Sequence, residues 1–579
     1  MTSIAMHHPS DADLQAAFSG HPPSSSPPPP LPYGTAGFRA NSAVLLHAMH
    51  RCGIFAALRA VKTNQTVGAM VTASHNVEPD NGIKLVDPTG GMLEQSMEPI
   101  LTEFVNADDA VQGLRRLLEK IEAQPGVANG GGGRVVVGQD TRQSSERLVK
   151  AVKDGAQLMG VESIVDLGEV TTPQLHFIVQ QCNAAGAEGR RIGESVYFEH
   201  FGGAFARFWS LLPPSPSPAP APSSLYVDAA NGVGALKIAP LGEHLSATLS
   251  PSPLSLSLLN DGTQPTDQLN EECGAEYVQK MQRLPRGFDA AEMVGKRCCS
   301  MDGDADRLVY FSPGGESDHL ILCDGDKMAA LYCTAIQRML AEIDLQDKGK
   351  GLRVGVVQTA YANGASTAFL DQLPHVDVRC VKTGVKHLHR AAEEYDVGVY
   401  FEANGHGTVL VKRERLGEWA SVVEGRDERA YERLVAFLGI FNQTTGDALA
   451  DLLATEAALK YLNMSFADWA ALYTELPCRQ TKVALPRWVL NRLQPHPEHE
   501  KTLTQPTELQ ASVDTAVSSL IAQHGDGYSA RAFIRPSGTE DVCRLYVEAT
   551  TAEGADRLSD ELKAKISQFG AQMAKSVMK

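Results

Sequence analysis

Three stretches of this 579-residue chain share one pattern. RVVVGQDTRQSS (134–145), SLYVDAANGVG (224–234) and LRVGVVQTAYANG (352–364) each run from β-branched, apolar residues into small and polar ones, and helix-compatible segments such as ERLVKAVKDGAQLMG (146–160) follow. Strands that alternate with helices demand parallel or mixed sheets covered by helices. The spacing predicts three similar α/β domains of about 100–150 residues. The C-terminal part differs. ARAFIRPSGTEDVCRLYVEAT (530–550) reads as two strands around a turn, and ADRLSDELKAKISQF (555–569) as an amphipathic helix, an α+β pattern.

Two proline-rich stretches interrupt this plan. Together with the residues before it, HPPSSSPPPPLP (21–32) predicts a disordered leader over 1–30, since such sequence buries too little to order itself. LPPSPSPAPAPSS (212–224) lies between the helix-like VYFEHFGGAFARFW and the strand SLYVD, so it reads as a loop inserted within a domain. The glycines at 130–133 read as a surface joint. The expected domains are 31–195, 196–312 (with the insertion), 313–455 and 456–579.

Charge excludes some partners. The 52 basic and 69 acidic residues leave a formal charge of −17, the wrong sign for nucleic acid or an anionic membrane. A locally basic pocket for a small phosphorylated ligand remains compatible with it. No run of eighteen apolar residues reads as a membrane span, and MTSIAMHHPSDADL lacks the features of a secretory signal. Ten scattered cysteines without a C-x-x-C pair suit reduced thiols in the cytoplasm.

Four motifs carry chemistry. In VTASHNVEPDNGIKLVDPTGGML (71–93), Ser74 sits beside Thr72, His75 and Asn76, and Asn81-Gly82 marks a turn. A serine in such a polar loop can be exposed as a nucleophile with neighbours to orient it. The surroundings are not the G-x-S-x-G elbow of hydrolases. In SMDGDADRLVYF (300–311), Asp302, Asp304 and Asp306 alternate, so an extended segment would project their carboxylates to one side toward a hard cation. An EF-hand needs Gly and Glu where Arg307 and Pro313 stand.

FIRPSGTEDVCRLYVEA (533–549) places Arg535, Ser537, Gly538 and Thr539 between two strands, with Arg544 beyond. Guanidinium, hydroxyls and backbone N–H groups around a glycine suit a phosphate dianion. In GVYFEANGHGTVL (398–410), Glu402, Asn404 and His406 follow a strand and can hydrogen-bond sugar hydroxyls. Arg39 in GTAGFRA, Arg142 in GQDTRQSS and Lys386 in KTGVKHLH are weaker signals. GDGYSA (525–530) precedes a strand instead of opening a helix, so it is no dinucleotide fingerprint, and no G-x-x-x-x-G-K-[ST] loop occurs.

In this order the motifs resemble the α-D-phosphohexomutase superfamily: TASHN with its phosphorylated serine, DGDADR as the Mg2+ loop, a glutamate-containing sugar loop and RPSGT as the phosphate loop. The likeness runs from about Gly34 to the C-terminus. QTAYANG (358–364), KTGVKHLH and EANGHG are similar to the branch that interconverts N-acetylglucosamine 6-phosphate and 1-phosphate for UDP-N-acetylglucosamine biosynthesis; glucose and mannose enzymes typically carry a serine where this chain has Asn404.

The resemblance implies four domains around a central cleft and an isomerase that transfers phosphate within its substrate. It also implies phosphorylated Ser74 and one Mg2+ held by Ser74, Asp302, Asp304 and Asp306. Glu402, Ala403, Asn404, Arg535, Pro536, Ser537, Gly538, Thr539 and Arg544 would bind substrate, and Arg39, His75 and Lys386 would be the candidates for proton transfer or charge stabilisation. A sugar bisphosphate would be intermediate and primer, hexosamine phosphates the partners, a mobile C-terminal domain would serve reorientation, and the protein would be a monomer. A glucose or mannose phosphate mutase, a metal-dependent sugar phosphatase and a non-catalytic homologue are the alternatives.

Overall fold

The computed structural model describes residues 9–23, 30–34, 37–123, 133–184, 193–213, 223–264, 266–314, 320–343, 351–420, 423, 426–538 and 540–577. The insertion at 214–222 and most of the glycine run lie outside these residues. The chain forms two compact units. The first contains Met1–Gly325, Asn404–Val409 and Glu418–Asn463, and the second Asp326–Ala403, Leu410–Gly417 and Met464–Lys579.

Two mixed sheets with one plan build the first unit. Strands β1 (Phe38–Asn41), β2 (Thr66–Val71), β3 (Asp80–Val86), β4 (Arg134–Gln139) and β5 (Ser163–Glu169) lie in the order β1-β3-β2-β4-β5. Here β2, β4 and β5 run parallel while β3 pairs antiparallel with β2 and β1. The second sheet repeats this with β6 (Ser223–Asp228), β7 (Leu254–Leu259), β8 (Arg297–Met301), β9 (Leu308–Pro313) and β10 (Leu320–Cys323), ordered β10-β9-β8-β6-β7. Every residue of β2 and β9 is buried, which is why both read as continuous apolar runs. Helices Leu46–Thr63 and Ser145–Leu158 join the first sheet in one core around Phe55, Leu58, Val137 and Leu148.

The third sheet, β12-β11-β13-β14, comprises β11 (Val354–Thr359), β12 (Val376–Val381), β13 (Val397–Phe401) and β14 (Gly407–Val411), with β11 parallel to β12 and β13. The C-terminal part is antiparallel. After β15 (Cys478–Ala484) come the short pair β16 (Gln494–Pro495) and β17 (Leu503–Gln505), then β18 (Ala530–Pro536) and β19 (Val542–Ala549), in the order β15-β19-β18. Helices Thr507–His524 and Ala552–Val577 cover this sheet through Leu509, Val513, Leu558 and Leu562. This is the predicted multidomain α/β architecture with an α+β end. Among the described residues no helix is long and apolar enough to cross a membrane.

The structure corrects the leader. Residues expected to be disordered over 1–30 include a helix at Asp11–Gly20, capped by the Ser10 hydroxyl on Asp13 N–H. It buries Leu14 and packs Phe18 against the first core, so it has the apolar anchor that the following prolines lack. Residues 1–8 and 24–29 lie outside the described set. The expected junction after 195 falls at the start of helix Ser195–Ser210, that after 312 within β9, and that after 455 within helix Ala448–Leu462. Gly133, expected in a surface joint, is buried.

Candidate active site

All four motifs occupy connections between consecutive strands of one sheet: β2–β3, β8–β9, β13–β14 and β18–β19. In the first connection Ser74 is 1% exposed and takes a left-handed backbone with φ +55°, a conformation that costs a non-glycine residue energy and persists only where its surroundings enforce it. Its hydroxyl donates to Asp302 Oδ2 at 2.8 Å. His75 Nδ1 lies 3.3 Å from the same hydroxyl, and its Nε2 lies 4.0 Å from Glu276. Burial, and next the Arg307 guanidinium, pull His75 down to about 3, so the ring is neutral.

The second connection differs from the expected extended segment. Met301 and Leu308 are register partners, so residues 302–307 form a tight loop, with Ala305 at φ +57°. Asp302 Oδ1 closes it by accepting the backbone N–H groups of Asp306 and Arg307 at 3.1 and 3.2 Å. The turn, not strand alternation, makes the carboxylates converge: one oxygen from each of Asp302, Asp304 and Asp306 lies within 4.8 Å of the others, all buried. Gly303 is needed for the approach of the two loops, since a Cβ there would stand 2.6 Å from the Ser74 carbonyl oxygen.

Three buried carboxylates this close require positive charge. Lys84 supplies some: Nζ lies 2.7 Å from Asp304 and 2.8 Å from Asp306. Burial works against the ammonium charge, but these two carboxylates reverse that and raise it. Asp302 is held well above the carboxylate range, first by burial and then by Asp306 and Asp304. Burial pushes Asp306 the same way, yet Lys84 and His406 override it and hold that group well below the range. Oδ1 of Asp304 and of Asp306 are buried with no hydrogen-bond partner among the described residues. His406 Nδ1 lies 3.5 Å from Asp306 Oδ1, and a cluster of hard oxygens left short of hydrogen bonds is the donor set of a divalent cation.

Arg39 and His406 complete this side. Arg39 donates from Nη1 to Asn76 Oδ1 at 3.1 Å, and His406 Nδ1 lies 2.9 Å from the Asp306 carbonyl oxygen. Gly405, at φ +85°, brings its backbone against Leu308, where a Cβ would stand 2.0 Å from the carbonyl oxygen. Asn404 belongs with this unit, whereas Glu402 and Ala403 belong with the second.

In the second unit, Arg535 and Arg544 are direct cross-strand partners on β18 and β19. Like charges placed opposite one another are unfavourable unless an anion lies between them. Arg535 Nε lies 3.3 Å from Glu500, and Arg544 Nη2 lies 3.3 Å from Glu540. Ser537 departs from expectation in one respect. Its N–H donates to the Val542 carbonyl at 2.9 Å and is spent on the turn. Its hydroxyl oxygen accepts Glu540 N–H at 3.2 Å and keeps its proton to donate. Pro536 ends β18, and around Gly538 there is open space for a close ligand. Thr539 lies outside the described residues. Lys386 stands in the first turn of helix Val385–Ala392.

The structure thus gathers Arg39, Ser74, His75, Asp302, Asp304 and Asp306 in the first unit, and holds Lys386 and the arginine pair in the second. Sequence reasoning missed Lys84, Glu276 and Arg307. The one signal for Lys84 was a lone lysine within the apolar run GIKLV.

The repeated mixed sheets and the serine facing three aspartates are features of the α-D-phosphohexomutase superfamily. The family models described as "Phosphoglucomutase/phosphomannomutase", domain I and the C-terminal domain, match residues 42–112 with 115–187 and residues 506–565. Those described as "Phosphoacetylglucosamine mutase AMG1", domains II and III, match 191–309 and 324–464. The phosphoacetylglucosamine mutase of Sus scrofa is 42% identical over 542 residues, 93% of this chain and 94% of that protein. The Aspergillus fumigatus N-acetylphosphoglucosamine mutase, solved with GlcNAc-6P and magnesium, is 36% identical with a TM-score of 0.85, over 96% of this chain and 99% of that one. A serine-to-alanine variant of that enzyme with glucose 1,6-bisphosphate is 35% identical with a TM-score of 0.83, over 96% and 98%. The chain belongs to the phosphoacetylglucosamine mutase family.

Proposed function

We propose that this protein interconverts N-acetylglucosamine 6-phosphate and N-acetylglucosamine 1-phosphate through a phosphorylated Ser74. The observation that carries the reading is the Ser74 hydroxyl, 2.8 Å from Asp302 and beside three clustered carboxylates. Family membership at 42% identity over nearly the full length supports it, and so does the neighbour solved with GlcNAc-6P and magnesium.

Asp302, Asp304, Asp306 and an oxygen on Ser74 would hold Mg2+. Bound there, the cation would neutralise the phosphoserine and polarise its phosphorus. The residues of the chain do the rest. Arg535, Arg544, the Ser537 hydroxyl and Gly538 hold the non-reacting phosphate, joined by Pro536 and Thr539. Glu402, Ala403 and Asn404 hold the sugar hydroxyls. The free 1-hydroxyl then attacks the phosphoserine in line, and the bisphosphate reorients so that its other phosphate returns to Ser74. Arg39, His75 and Lys386 are the candidates for proton transfer or for stabilising charge on the transferring phosphoryl group.

A sugar bisphosphate primes unphosphorylated enzyme, a role consistent with the neighbour that binds glucose 1,6-bisphosphate. The chain would divide into four domains near residues 195, 312 and 455, each carrying one of the four motif loops, with the junctions shifted off β9 and helix Ala448–Leu462. Ten cysteines without a disulfide among the described residues support a reducing cytoplasmic setting.

A coupled assay with N-acetylglucosamine, glucose and mannose phosphates tests the reading. The highest kcat/KM is expected with the N-acetylated substrate. A higher value for glucose 1-phosphate would overturn the substrate assignment, and release of inorganic phosphate as the main product would overturn the mutase itself.

A further inference from the structure

Arg142 has no part in the chemistry above, yet its side chain is wholly buried against the Ser74 loop. A guanidinium offers five N–H donors in a fixed fork, and here five bonds account for them. Nε donates to Asp140 Oδ2 at 2.9 Å. Nη1 donates to the carbonyl oxygens of Val77 at 2.7 Å and Asp80 at 2.9 Å. Nη2 donates to those of Ser74 at 3.0 Å and Asn76 at 2.8 Å. One side chain therefore gathers four carbonyls from residues 74–80.

Asp140 holds the other side of the same residue. Its Oδ2 accepts the Thr72 hydroxyl at 2.7 Å, and the Thr72 oxygen accepts Ser74 N–H at 2.9 Å. Its Oδ1 accepts the Ser145 hydroxyl at 2.9 Å and Arg142 N–H at 3.1 Å, which fixes the carboxylate. Asn270 adds two bonds from the second sheet's loops, to the carbonyl oxygens of Ser74 and Asn76, both at 2.9 Å.

We infer that Asp140, Arg142 and Thr72 form a positioning unit that holds Ser74 in its left-handed conformation and aims its hydroxyl at the aspartate loop. Ser74 at φ +55° has no glycine-like freedom, so relaxation to an ordinary backbone would swing Oγ away from Asp302. The unit grips the N–H of Ser74 through Thr72 and its carbonyl through Arg142, leaving the hydroxyl as the free end. Its charged members are fully buried and the guanidinium donors are spent on the loop, so it would act on the transfer step and not on binding. This inference rests on Ser74 being the phosphoryl carrier.

The test is Arg142→Lys in the full-length protein, with Thr72→Val as a second variant that keeps side-chain shape and removes the acceptor for Ser74 N–H together with the donor to Asp140 Oδ2. Lysine keeps the charge but has three donors for five acceptors. The expected result is a fall in kcat of about thirtyfold or more with KM changed less than about twofold, the pattern of an interaction needed only in the transition state. Hydrogen exchange should accelerate at the amides of 74–76 and not in helices Leu46–Thr63 or Ser145–Leu158. Asp140→Asn combined with Arg142→Lys should cost no more than the worse single change, as members of one network behave.

Wild-type kcat in a folded Arg142→Lys protein would overturn the inference, as would exchange that rises uniformly across the domain. Should Arg142→Lys fail to fold, Thr72→Val decides: wild-type kcat with unchanged local exchange overturns the inference equally. Should wild-type protein show no mutase turnover, the functional reading fails on its own, while the exchange pattern still decides whether these residues hold the loop.

Discussion

Ser74 and Asp302 stand 228 positions apart in the chain, and the serine hydroxyl donates to the aspartate at 2.8 Å. The serine loop and the aspartate loop are therefore one site, and changes in either should fail together. Ser74→Ala should lower mutase kcat by about a thousandfold or more, as removal of a covalent carrier does. The fold should persist, because the side chain contributes little to a core. Intact-mass and peptide-mapping spectrometry should find phosphate on Ser74 of active wild-type protein. Full activity in Ser74→Ala, or phosphate on another residue alone, would contradict the mechanism.

Lys84 bridges Asp304 and Asp306 from within the protein. Removing one partner of a buried ion cluster typically costs about 3–5 kcal/mol, because the remaining charges are left uncompensated. Lys84→Met should therefore lower Tm most in chelator, and added Mg2+ should restore a large part by binding the native state. Differential scanning calorimetry with EDTA and with Mg2+ checks this. An equal loss under both conditions would argue against a cation at these carboxylates.

Arg535 faces Arg544 across β18 and β19, an arrangement that suits a shared anion. A charge-assisted hydrogen bond is worth about 1.5–3 kcal/mol, so Arg535→Ala should raise KM by roughly ten- to a hundredfold and lower kcat less. Steady-state kinetics in both directions measure it. An unchanged KM would remove the phosphate-binding role from this loop.

His176 is buried in helix Thr172–Ala184, and its Nδ1–H donates to the Gly90 carbonyl at 2.7 Å. Burial lowers it to about 4 from an ordinary 6.5. Between those values the unfolded chain binds a proton that the folded protein does not, so this group's contribution is complete above pH 6.5. It is lost as the pH falls toward 4, and is worth about 3 kcal/mol in full. His176→Gln retains a donor for Gly90 without a titrating ring. Denaturant titrations from pH 4 to 7 should show a shallower loss of stability on acidification in this variant; a slope equal to wild type would exclude His176 as a source.

Much of this protein was legible in one dimension because its chemistry is local. Strand runs such as RVVVG and LRVGVV dictate α/β units through their own period and flanks, and DGDAD concentrates three carboxylates within five residues. Ser74 and the arginine loop likewise announced themselves through their immediate neighbours.

What stayed hidden depends on backbone path. The prolines hid a helix at Asp11–Gly20, whose anchors Leu14 and Phe18 mean something only beside a core. The aspartates were expected on an extended segment, but the turn between β8 and β9 brings them together. Ser537 N–H was expected to be available for phosphate, yet strand pairing consumes it. Lys84 and Arg142 read as ordinary basic residues, since nothing nearby in sequence says what their charges meet.

The sequence by itself therefore determined the kinds of element, the four reactive loops and the family. Only the tertiary structure decided that Ser74 faces Asp302, that Lys84 neutralises Asp304 and Asp306, and that Arg142 grips the serine loop. The physical reason is that propensity and motif chemistry act over a few residues, whereas a buried charge is defined by partners that folding alone brings within 3 Å.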